Sequence, residues 1–198
     1  MPVDRRDLRR RLFAVAAEQG GYFSAAQAKA IGYSYQAQAH HVAAGNWHRV
    51  DRGLFRLPEW VPTPHDDLAR WTLWSSNRAV VSHETALAVH EIGEFESARV
   101  HLTVPSGFRM QDAALTLHRA NLAAEDVLVR TGFRLTTVTR SLVDVAARAP
   151  AEDQLARAID DARDRGLITL RNLRSRAEYV DPRAALYIER AINLADAS

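Results

Sequence analysis

Glycine punctuates the start of this chain at short intervals. Gly20-Gly21, Gly32, Gly45 and Gly53, followed by Pro58, cut the first sixty residues into pieces too short for long helices or a broad sheet. The pieces carry their own start signals. Asp4 can cap a helix running to about Gln19, whose apolar side is Leu8, Leu12, Val15 and Ala16, spaced by three or four residues. Tyr22-Phe23 is a short apolar entry to a second helix. Ser24 opens that helix with Gln27 three positions on, the spacing of a capping box. Ser34 can cap a third helix, to about Ala44. Trp47-His48-Arg49-Val50 and Leu54-Phe55-Arg56-Leu57 then flank Asp51-Arg52-Gly53, which reads as a β-hairpin. Three short helices and a hairpin predict a winged helix-turn-helix over residues 1–58. In that plan the third helix enters a major groove and the hairpin rides on the phosphate backbone.

Charge distribution agrees with that plan. The net charge is +2, but residues 1–60 hold nine Lys/Arg against five acids, and the remainder holds 17 against 19. A basic head on a slightly acidic body suggests one nucleic-acid-facing module and one with another task. On the third helix His41 and Val42, with Ala37 or Gln38, should point inward. Ser34, Tyr35, Gln36, Ala39 and His40 are then the candidate DNA-contacting residues of the helix, joined by Arg49, Arg52 and Arg56 from the hairpin. Gln36 can bond a base edge bidentately, and the arginines suit phosphates.

Residues 59–64 (EWVPTP) form a short proline-punctuated linker, and 65–198 read as a second, mixed α/β domain. A helix from His65 to Ser76, a strand at Ala79–Val81 and a helix from His83 to about His90, which Ser82 can cap, come first. Strands follow at 100–104, 115–118, 126–129 and 133–136, the last two paired around Thr131-Gly132. A helix over 138–149 and three closing helices (152–165, 170–177, 182–195) complete the chain. The fold class expected is α+β, a winged head followed by a mixed α/β domain with a helical tail.

Gly21–Pro58 (GYFSAAQAKAIGYSYQAQAHHVAAGNWHRVDRGLFRLP) resembles the N-terminal domain of the AbiEi family, the antitoxins of AbiE-type, type IV toxin–antitoxin systems. The matching pieces are the Gly21-Tyr22-Phe23-Ser24 entry and the run Arg49-Val50-Asp51-Arg52-Gly53-Leu54-Phe55-Arg56-Leu57. On the third helix His40, His41, Ala43 and Ala44 stand where relatives often carry Arg or Leu. Later blocks are similar to the family's C-terminal domain: Val81–Leu87 with His90, Val100–Pro105, Leu117–Arg119 and Leu135–Asp144. The resemblance implies a cytoplasmic antitoxin that neutralises a cognate AbiEii-like nucleotidyltransferase toxin and represses its own operon by binding operator DNA. Direct contact with the toxin through the second domain is the mode favoured.

Other chemistries find little support. There is no cysteine, so disulfides, thiolate catalysis and Cys-based zinc sites are excluded. No apolar run approaches the ~18 residues of a membrane helix. The charged N-terminus lacks the apolar core of a signal peptide. Ser82-His83-Glu84 with Asp144 invites a hydrolase reading, but no G-x-S-x-G elbow accompanies it. His83, His90, His101 and His118 lack metal-binding spacing and read as buried, hydrogen-bonded histidines. Phosphate-cradling glycine loops and the toxin's own G-S…D-x-D pattern are absent. The acids of 152–164 interleave with Arg157 and Arg163, as on a solvated ion-paired face. No catalytic residue, metal or cofactor is therefore expected. The rival reading is a stand-alone winged-helix transcriptional regulator whose second domain senses a ligand or dimerises.

Overall fold

The structure, a computed structural model, describes residues 4–95 and 97–196. It is a mixed α+β fold with helices and two sheets. Two compact units divide it: residues 1–78 with 130–133, and residues 79–129 with 134–198.

The first unit begins with α1 (Arg5–Ala17), whose cap Asp4 accepts the Arg6 N–H at 2.9 Å. Its inner face is Leu12 and Ala16, with Leu8 and Val15 half-buried beside them. Gly20 and Gly21 then turn the chain with positive φ; a Cβ on Gly21 would meet the Trp60 ring at 2.3 Å, so glycine is required there twice over. Tyr22–Ser24 is β1, a third strand where the sequence suggests only an apolar entry. α2 (Ala25–Ile31) starts at the expected box: Gln27 N–H donates to Ser24 Oγ and the Gln27 side chain accepts from Ser24 N–H. Ser34 caps α3 (Tyr35–Ala43) by accepting the Ala37 N–H at 3.2 Å. β2 (His48–Asp51) and β3 (Leu54–Arg56) form the hairpin, with an irregularity between Arg49 and Asp51. The antiparallel sheet runs β1-β3-β2.

Rings fill this core. Phe23 meets Trp47 edge-on at 4.9 Å and Phe55 at 5.6 Å, and Tyr33 meets Trp47 edge-on at 5.0 Å. α4 (Asp66–Trp74), expected in the second domain, belongs to this unit. The reason is Asp66, which accepts from Trp60 Nε1 (3.0 Å), the Thr63 N–H (2.8 Å) and Arg56 Nη2 (3.3 Å). Tyr22 adds a donated bond of 2.7 Å to Asp67. Residues 59–64 are thus fastened to the start of α4 through Trp60 and Thr63.

The second unit is a five-stranded sheet with helices. In order of chain these are β4 (Val80–Val81), α5 (His83–Val89), β5 (Val100–Val104), β6 (Leu115–Arg119), a 3-10 turn (Ala124–Asp126), β7 (Val127–Arg130) and β8 (Phe133–Thr136). The helices α6 (Val138–Ala146), α7 (Glu152–Asp164), α8 (Leu170–Val180) and α9 (Pro182–Asp196) follow. The sheet order is β6-β5-β4-β8-β7; β4 runs antiparallel to β5 and parallel to β8, and β5 is parallel to β6. Aliphatic side chains from α5 to α9 make the core, including Leu87, Leu142, Leu155, Ile159, Leu173 and Ile188. Alanines at 146, 158, 162, 177, 184 and 191 let these helices approach closely.

Candidate functional site

In the first unit, α3 buries one residue, Gln38, whose amide donates to the carbonyls of Ala25 and Tyr33 at 3.0 Å each. This side-chain lock holds α3 against α2 in a position that apolar packing would ordinarily occupy. His41 and Val42 are half-buried; the His41 ring stacks on Trp47 at 4.8 Å, and burial lowers its pKa. The opposite face is open. Tyr35 is 62% exposed, and Ser34, Gln36, Ala39 and His40 are exposed with it. Lys29 lies over the Tyr35 ring at 4.9 Å, a cation beside this face. On the hairpin Arg49 and Arg52 are exposed. Arg56 is placed differently from the sequence expectation of a phosphate-facing side chain. It is half-buried, pairs with Asp66 at 3.3 Å and lies over Tyr22 at 4.9 Å, so its charge is spent inside the unit. Burial and Asp67 push the Tyr22 hydroxyl up to about 12, so it stays a donor.

The second unit holds its ionisable groups in two clusters beside one cleft of about 620 Å³. His83 opens α5 with left-handed backbone, φ 55°. Its ring stacks on His118 at 3.5 Å, and His118 Nε2 lies 3.4 Å from His101 Nδ1. His101 Nδ1 is 2.5 Å from a Glu84 oxygen, and Arg148 faces the same carboxylate at 3.5 Å. Ser82 does not cap α5. Its hydroxyl accepts from Thr103 at 2.8 Å and lies 2.9 Å from His83 Nδ1. Burial and the neighbouring histidines push His83 down to about 2 and His118 to about 4, so both rings are neutral at pH 7. The Glu84 carboxylate is held below its usual range by His101 and Arg148, against burial. His90 stands apart, with Nε2 2.8 Å from the Thr136 carbonyl. Among the described residues no group of three or more His, Asp or Glu is placed to hold a metal ion.

The second cluster was not legible as a cluster in the sequence. Arg140 donates to Asp126 through Nη1 and to Asp144 through Nε, both at 2.8 Å. Arg176 donates to Asp126 through Nε at 2.9 Å and through Nη2. Only Arg140 and Asp144, four apart on α6, carry a sequence signal for pairing. Asp144 Oδ2 is buried without a hydrogen-bond partner, and burial raises that carboxyl to about 6 despite Arg140. Of the hydrolase constellation weighed above, Ser82 and His83 are in contact, Glu84 is engaged with His101, and Asp144 is engaged with Arg140.

Comparison with known proteins bears on fold and family. No curated protein matches the chain. The crystal structure of the RV2827C protein from Mycobacterium tuberculosis is similar at a TM-score of 0.62 and 16% identity, over 96% of this chain and 76% of that one. At that identity the likeness is one of fold. Residues 10–58 match the family described as "Transcriptional regulator, AbiEi antitoxin". The head of this chain, across α1 to the hairpin, is therefore similar to the AbiEi antitoxin regulators, as the run Gly21–Pro58 implies from sequence.

Proposed function

We propose that the chain is a non-enzymatic, cytoplasmic antitoxin of the AbiEi type. Its head acts as a winged helix-turn-helix that represses its own operon. Its second unit neutralises a cognate AbiEii-like nucleotidyltransferase toxin by direct contact. The observation that carries the reading is the open face of α3, with Tyr35, Gln36, Ala39 and His40 exposed, on the segment that matches the regulator family. Helix capping by Ser34 fixes where that face begins. Gln36 is the base-reading candidate, and Arg49 and Arg52 are the phosphate contacts from the hairpin. With Arg56 held by Asp66, two arginines rather than three serve the hairpin. α3 itself carries no Arg or Lys, so a large share of the affinity comes from outside the helix.

The test uses full-length protein and DNA from upstream of its own gene. Arg49→Ala with Arg52→Ala lowers the slope of log affinity against log salt by about two, one per lost phosphate contact. Gln36→Ala costs about 1–3 kcal/mol on the native site and less on scrambled DNA. Wild-type binding by the double arginine variant overturns the DNA-binding part. Co-expression with the product of the neighbouring gene tests the antitoxin part: rescue of growth with co-purification supports it, and continued toxicity overturns it.

A further inference from the structure

The cleft of the second unit has the makings of a ligand site that the proposed function does not use. Its volume, about 620 Å³, lies in the range of small-molecule sites. Its lining carries four arginines against two aspartates, with His83 and His118 neutral. Asp144 is 7% exposed, and its Oδ2 lacks the donor that a buried carboxylate oxygen needs. Two of the arginines are committed to this carboxylate or to Asp126, but two are not. The Arg119 side chain makes no hydrogen bond or ion pair to any described residue. Among the described residues the Arg148 side chain, 47% exposed, is held only by the 3.5 Å contact to Glu84. Asp181, the second aspartate of the lining, is already occupied by the Arg183 N–H at 2.7 Å. Tyr179 lines the same cleft and is 80% exposed; the Arg176 guanidinium lies over one side of its ring at 5.2 Å, and most of the ring surface is open.

We infer that this cleft binds a nucleoside monophosphate. Its phosphate is held by Arg119 and Arg148, a hydroxyl or amino donor satisfies Asp144 Oδ2, and the base lies on Tyr179. Each part of the ligand answers a separate deficiency. An anion suits guanidinium groups that lack full partners. A ligand donor removes the penalty of the orphaned carboxylate oxygen. A planar base covers an exposed aromatic ring. A bare anion would leave Asp144 and Tyr179 as they are, and an apolar ligand would leave the arginines and Asp144 unmet. The inference is independent of DNA binding by the head and gives the second unit a small-molecule input.

Isothermal titration calorimetry on the full chain tests this with AMP, GMP, CMP, UMP, ribose 5-phosphate and inorganic phosphate. At least one mononucleotide binds one-to-one with a Kd below about 100 μM, and phosphate alone is at least about ten-fold weaker. Arg119→Ala and Tyr179→Ala, both at exposed side chains that leave the core intact, each weaken that nucleotide about ten-fold. Asp144→Asn changes the preference among the four bases or against ribose 5-phosphate. The inference is overturned if no mononucleotide binds with a Kd below about 100 μM, if either exposed-residue variant binds like wild type, if Asp144→Asn leaves the preferences unchanged, or if inorganic phosphate or ribose 5-phosphate equals the best nucleotide.

Discussion

In the first unit the core is built largely on rings: Phe23, Tyr33, Trp47 and Phe55 interlock, and the fully buried polar residues are few, with Gln38 and Asp66 among them both hydrogen-bonded. In the second unit the core is made of leucine, isoleucine, valine and alanine on packed helices, and beside it sit Asp126, Arg140, Asp144, His83 and His101, all buried. The difference follows from size. A small unit has little interior, so a few large side chains fill most of it. A larger helical unit covers enough apolar area to carry ionisable groups inside, each of which costs stability unless paired. Buried ionisable groups without full partners are also where ligand chemistry concentrates, so the two units differ in kind as well as in packing.

Perturbing each side in turn sharpens that contrast. Trp47→Ala should cost about 3–5 kcal/mol, because one ring holds Phe23, Tyr33, His41 and Phe55. Hydrogen exchange should show the loss in residues 5–57, with the amides of α7 and α9 still protected. Uniform loss across the chain breaks the contrast. Arg140→Ala should cost a similar 3–5 kcal/mol in the other unit, because it leaves Asp126 and Asp144 buried with less compensation. Denaturant titration checks it, and a cost below about 1 kcal/mol shows that the pair is not an obligate partner set.

Acid should act mainly on the second unit. His83 has a folded pKa of about 2 against an ordinary 6.5, so the unfolded chain takes the proton first. Its contribution is complete above pH 6.5 and falls with pH, by about 1.4 kcal/mol per unit. His118, lowered to about 4, has the same sign. Asp144, raised from 3.8 to about 6, has the opposite sign; its contribution is complete below pH 3.8 and lost as pH rises through 6. Two histidines against one aspartate leave stability falling from pH 6.5 toward 4. His83→Asn, a residue that tolerates the positive φ, should flatten that fall. An unchanged dependence of Tm on pH in this variant refutes neutral burial of His83.

Smaller effects complete the series. Thr137, whose hydroxyl accepts the Arg140 N–H at 3.2 Å, caps α6, and Thr137→Ala should cost about 1 kcal/mol in a thermal melt. Glu59→Ala removes an ion pair with Arg9 whose side chains are both well exposed, and should change stability by less than about 0.5 kcal/mol.

What could be read from sequence divides along the same line. The caps Asp4, Ser24 and Ser34, the helices they open and the hairpin after Gly45 are local signals, and they stand as expected. The strand β1 has no sequence signal because three residues carry no periodicity, and its pairing with β3 is a long-range matter. Ser82 looked like a cap because its position before a helix is right; the left-handed turn at His83 and the hydrogen bond from Thr103 draw it elsewhere. Arg56 sits in a basic hairpin, and nothing local foretells that Asp66 claims it. On α3 the exposed residues followed from helical spacing, since an outward face needs no partner to be legible. The cleft is the opposite case. Its residues come from β5, β6, α5, α6 and α8, and only tertiary folding brings them together.

The shortness of β4 has a mechanical consequence. β5 and β6 share five paired positions, whereas β4 shares two with β5 and one with β8. The ladders on either side of β4 are thus narrower than the β5–β6 ladder. A pulling force along the strands should part the sheet at β4 before it parts β5 from β6.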